Sequence, residues 1–137
     1  MAITKNYKEL CIDFLYRYSE LANIRTNEEL NKRVKNLSKD VIKIIPYDEI
    51  SLLTKKELQK YKGTDLKDES IYCTDCSGSS KPIAFLRHLR NAIAHGNLNQ
   101  EGKFFVLEDW DNNNKTNITA IGKFDKTKIK HILELFH

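Results

Sequence analysis

Apolar residues recur at three-and-four spacing from Tyr7 through Leu10, Cys11, Phe14, Leu15, Tyr18, Leu21 and Ala22, the period that buries one stripe of an amphipathic helix. A second helix is predicted from Thr26, whose hydroxyl caps while Glu29 reaches back. Its buried stripe runs through Leu30, Val34, Leu37, Val41 and Ile45. Pro46 ends it, because the residue before a proline is pushed out of helical geometry. A shorter helix is expected between Ser51 and Tyr61, opened by Thr54 with Glu57 and closed before Gly63. Residues 62–81, rich in Gly, Ser, Asp and Lys, read as a long surface connection.

Pro82 suits the first turn of the next helix, and Gly96 is its predicted C-cap. At about 100° per residue, Phe85, Leu86, Leu89, Ala92 and Ile93 fall on one side and face the core. KFFVLEDW and TNITAIGKF follow, two β-prone runs separated by DNNNK, and they predict a β-hairpin. Asp125 then caps a last helix with Ile129, Ile132, Leu133 and Phe136 on one side. With no internal repeat and 137 residues, enough for one buried core, the expectation is a single domain over residues 1–137. Its expected class is all-α, a helical bundle with a β-hairpin inserted before the C-terminal helix.

Composition narrows the function classes. Hydrophobic residues at 40% and charged residues at 31% describe an ordinary globular chain rather than a disordered one. No run reaches the roughly 18 apolar residues of a membrane span, and MAITKNYKEL lacks the apolar stretch of a secretory signal. A cytoplasmic protein with no membrane partner is expected. Three cysteines are an odd number for a disulfide framework and point to free thiols in a reducing compartment. The excess of 23 Lys+Arg over 19 Asp+Glu favours a polyanionic partner without requiring one.

The chemistry concentrates in FLRHLRNAIAHG, residues 85–96, where two arginines, two histidines and an asparagine share one helix. Opposite the apolar stripe lie Arg87, His88, Asn91 and His95, with Arg90 near the edge. His88, Asn91 and His95 form one line at three-then-four spacing. Arg90 stands about 140° from His95. The two converge only if the arginine stem bends across, the helix unwinds near Gly96, or a second subunit contributes. A symmetric dimer packed along this helix would pool two copies of each group in one cleft. RNA cleavage by the 2′-hydroxyl needs a base, an acid and positive charge at the phosphorus. Histidine transfers protons near neutral pH, arginine holds phosphate oxygens with a fixed cation, and asparagine orients either partner.

Arg90, Asn91, three intervening residues and His95, read as RNAIAH before Gly96, resemble the signature of the HEPN superfamily. The resemblance implies a metal-independent endoribonuclease without cofactors, with Arg90 on the phosphate, His95 on proton transfer and Asn91 orienting them. Arg87 and His88 join as substrate-binding residues from helical geometry alone. Members are typically dimeric and act in toxin–antitoxin, abortive-infection and phage-defence systems. The implied partners are therefore RNA, a second copy packed through the motif helix, and an antitoxin protein. Some members are inactive RNA-binding or scaffold versions, so a non-catalytic HEPN module that binds RNA or protein is the alternative. A third reading is an adaptor that touches no nucleic acid. Plainer roles are also open, with Arg90 in a surface ion pair and His95 set against the helix dipole.

Other signals carry less. Cys73 and Cys76 form a CxxC that invites zinc or redox chemistry, but no second CxxC follows and no βαβ pattern surrounds it, so no metal site is assigned. Ser77, Ser79 and Ser80 have no base at a useful spacing, and SGSSKP lacks the glycine-lysine pattern and preceding strand of a phosphate loop. His131 and His137 read as surface residues near a helix C-terminus. Trp110 and the hairpin aromatics are expected to pack the hairpin onto the bundle rather than stack on bases.

Overall fold

The computed structural model describes residues 3–18, 28, 32–35, 42–46, 69–73, 81–110 and 118–136. In chain order they form α1 (Lys5–Arg17), β1 (Lys43–Pro46), β2 (Ser70–Cys73), α2 (Lys81–Ala94), β3 (Leu98–Glu101), β4 (Phe104–Trp110), β5 (Ile118–Asp125) and α3 (Lys128–Glu134). Glu28 and residues 32–35 are helical, within the predicted second helix. The rest of that helix, the predicted helix between Ser51 and Tyr61, most of the connection at 62–81, Cys76 with the serines after it, and the Asn-rich run lie outside the described residues.

The strands form one mixed five-stranded sheet in the order β1-β2-β5-β4-β3. The β1–β2 pair is parallel and the other three pairs are antiparallel. The protein is therefore mixed α/β, and the expected all-α bundle is wrong. The two β-prone runs do pair, from Phe104 with Asp125 to Trp110 with Ile118. They are inner strands of the sheet rather than a hairpin attached to a bundle.

Two local misreadings account for the difference. Ile42 to Ile45 fit the tail of a helical stripe, yet here exposed Lys43 alternates with buried Ile44 as in a strand, the state that suits β-branched side chains. Pro46 ends this edge strand, where a missing N–H is tolerated. SIYC, read as part of a polar connection, lies between β1 and β5 with Ser70, Ile71 and Cys73 buried. Gly122 permits that packing, because a Cβ there would run into the Ser70 carbonyl oxygen and Ile71. Cys73 is also disulfide-bonded, contrary to the expectation of free thiols throughout. Cys11 is free and buried, and burial pushes its thiol up to about 11.

α2 lies on the sheet, with Phe85, Leu86, Leu89 and Ala92 wholly buried. An edge-to-face series, Tyr7 to Phe105 at 5.7 Å, Phe105 to Phe124 at 5.9 Å and Phe124 to Phe85 at 6.0 Å, joins α1, the sheet and α2, the ring arrangement aromatic quadrupoles favour. Phe14 of α1 meets Phe136 after α3 at 6.3 Å. The Thr4 N–H and hydroxyl both donate to Gln100 Oε1, at 3.1 and 3.2 Å, which fastens the start of α1 to β3. Among the described residues, no helix is long and apolar enough to cross a membrane.

Candidate active site on the central helix

α2 ends as its sequence predicts. Gly96 adopts φ +73°, its N–H donates to the Ile93 carbonyl at 3.2 Å, and the Asn97 N–H donates to the Ala92 carbonyl at 2.7 Å. These are the crossed bonds of a Schellman stop, which needs a residue free to enter the left-handed region. The His95 N–H still donates to the Asn91 carbonyl at 3.0 Å. His95 is thus the last residue in helical register, and its side chain is exposed where the chain turns toward β3.

Arg87 and Arg90 are exposed, and Asn91 is half-buried beside them. Arg90 Nη1 donates to Asn91 Oδ1 at 3.1 Å, so the amide holds the guanidinium. Tyr18, just past α1 and 6.0 Å from Phe14 between ring centroids, lies within electrostatic reach of both arginines. Burial raises its pKa, while the Arg87 and Arg90 charges pull it back down. Tyr18 was legible only as one more apolar-stripe residue. Its position beside the arginines follows from α1 packing on α2, which sequence spacing does not encode.

His88 departs from its expected place. It is 3% exposed rather than on the outer line with Asn91 and His95. Its Nδ1 lies 2.7 Å from Asp109 Oδ2. A carboxylate can only accept, so the imidazole N–H donates. The physical reason is β4, whose alternation turns Phe105, Leu107 and Asp109 toward the same face and sets a buried acceptor under α2. On the helix His88 stands only about 40° from buried Ala92, so this partner suffices to draw it inward. His88 therefore turns to Asp109 and away from the exposed groups of the helix.

The structure thus brings Arg90 to Asn91 and sets Tyr18 within electrostatic reach of both arginines. It leaves His95 at the exposed helix end and buries His88. Such a set offers two fixed cations for phosphate oxygens, an amide and a phenol to orient them, and an imidazole able to exchange protons with solvent or substrate. Among the described residues, no group of three or more His, Cys, Asp or Glu side chains converges on a metal-sized site. Residues 5–137 match the protein-family model described as HEPN pEK499 p136. No curated protein and no solved structure matches the chain.

Proposed function

The chain belongs to the HEPN pEK499 p136 family, and on that footing we propose that it is an endoribonuclease whose chemistry is carried by Arg90, Asn91 and His95. The observation that carries this reading is the Arg90–Asn91 hydrogen bond on the exposed side of the helix that His95 terminates. It supplies a preoriented guanidinium and an accessible imidazole in the order of the family motif.

In this reaction the substrate's 2′-hydroxyl loses its proton to an imidazole and attacks the adjacent phosphorus. The P–O5′ bond breaks, a second proton reaches the departing 5′-oxygen, and the products are a 2′,3′-cyclic phosphate and a 5′-hydroxyl. Arg90, assisted by Arg87, neutralises charge gathering on the phosphoryl oxygens. One chain offers one histidine at this place, and two proton transfers are needed. A homodimer packed through α2 would provide both, one His95 as base and the other as acid. Proton transfer and fixed cations are then enough, and no metal or cofactor is required. The biological setting that fits such an activity is a toxin or phage-defence effector, held in check by an antitoxin protein or comparable partner.

The test is cleavage of end-labelled RNA by purified protein in EDTA, with His95→Ala and Arg90→Ala beside it. Expected are products with cyclic-phosphate ends and a loss of about 100-fold or more in each variant, the size of a removed acid–base or charge-stabilising group. Full activity in His95→Ala would overturn the assignment. Binding without products in the unmodified protein would instead identify a non-catalytic RNA-binding module.

A further inference from the structure

A groove of about 350 Å³ opens between α1, the end of α2 and β3. Its apolar walls are Ile12 and Leu15 from α1, Ile93 from α2 and Leu98 from β3, while Asn99 and Lys8 stand on the lining as polar groups. It is not a sealed defect of the core, since Ile12 is 46% exposed and Lys8 and Asn99 are exposed as well. The groove also borders the site described above. Ile93 lies three residues, about 4.5 Å of helix rise, from Arg90. Leu15 lies three residues before Tyr18 on the other wall. Within about one helical turn the two walls therefore lead to Arg90 on α2 and to Tyr18 after α1, and Arg87 follows a further turn along α2.

We propose that this groove is a nucleobase subsite, taking the unpaired base next to a phosphate held by Arg90 and Arg87; it rests on the ribonucleic-acid reading above and specifies its substrate as single-stranded. Flat apolar faces suit the aliphatic walls, and the polar base edge meets the Asn99 amide, which both donates and accepts. Lys8 supplies a cation at the rim for the next phosphate. The volume is at the lower end of small-ligand pockets, room for one base and far too little for a duplex. A purely aliphatic ligand would leave the Asn99 amide unmatched and gain nothing from the cations at either end. Paired bases cannot enter such a groove, whereas bases of loops and single strands splay out readily.

Fluorescence anisotropy with the full chain, carrying His95→Ala to prevent cleavage, tests this in EDTA. The probes are a labelled single-stranded RNA of about ten nucleotides and an abasic ribose-phosphate strand of equal length. The intact strand is expected to bind at least about tenfold more tightly than the abasic one, the gain of one well-seated base. Ile12→Ser with Asn99→Ala, both neutral replacements at exposed positions, should reduce that preference to within about twofold and leave abasic binding unchanged, since the cations that hold phosphate are untouched. Equal binding of both strands by the parent, or a preference retained in the double variant, would overturn the subsite while leaving the RNA reading intact. Failure to bind either strand would overturn both. A double variant that loses self-association but keeps the preference would make the groove a contact between copies, and would also overturn the proposal.

Discussion

His88 and Asp109 meet at 2.7 Å, each with about 4% of its side chain exposed, which makes the bond between them one of fixed consequence. Removing one member of such a buried pair leaves the other without its charge or hydrogen-bond partner. We expect His88→Ala to cost about 3–5 kcal/mol and Asp109→Asn, which still offers His88 an acceptor, to cost much less. Urea unfolding of the two variants measures the difference, and equal losses would show that the bond itself contributes little. The misplacement of His88 in sequence reasoning has the same origin. A histidine at the border of an apolar stripe faces whichever neighbour completes it, and Asp109 comes from a strand 21 residues away. Arg87, Arg90 and His95 are exposed, as the helix alone allowed one to read.

α2 shows how far element-level signals reach. Its buried face, its start near Pro82 and its stop at Gly96 all follow from spacing and from the backbone freedom of one glycine. A Cβ at Gly96 would touch nothing within 4 Å, so any cost of substitution there is backbone strain alone. Gly96→Ala is accordingly expected to lose about 1 kcal/mol of stability. Because His95 is the residue the stop positions, cleavage should fall further than stability does. Unfolding and RNA-cleavage rates measured side by side check this; an unchanged rate would separate the stop from the site. The strands were less legible. Ile42 to Ile45 satisfy both periods, and the four residues of β2 carry too little pattern to outweigh the polar sequence around them. Their partners, which decide the matter, are supplied by distant chain.

The assembly of α3, β5 and β2 depends on a small polar junction. Glu69 Oε1 accepts from the Asp125 N–H at 2.7 Å and from Lys128 at 3.2 Å. Asp125 Oδ1 in turn accepts from the Thr127 N–H and hydroxyl at 2.9 and 2.7 Å. The sequence marked Asp125 as the cap, but the N-cap is Thr127, and Asp125 instead closes a turn onto it from two residues before. The Thr127 bonds, helped by Lys103 and Lys128, hold the Asp125 carboxyl below the usual carboxylate range. A folded pKa below the unfolded one stabilises the fold above the unfolded pKa, and that stability is lost as pH falls through the folded value. Asp125→Ala should therefore melt below the parent near neutral pH, and the gap should close as acid protonates the parent's carboxyl. Thermal melts from neutral to strongly acidic pH test the sign, and a gap that widened in acid would refute it. The sheet itself was the feature least visible beforehand, because its order joins strands far apart in the chain.

That order bears on when the motif helix gains its support during translation. α2 is complete by Ala94, but the strands beneath it include β4 and β5, and Phe14 of α1 must wait for Phe136, its ring partner from the far end of the fold. A ribosome making this polypeptide therefore carries a helix with its arginines in place but no finished platform beneath it until β5 and Phe136 have been added. Whatever work the motif helix does must therefore wait until the strands beneath it and Phe136 have been made.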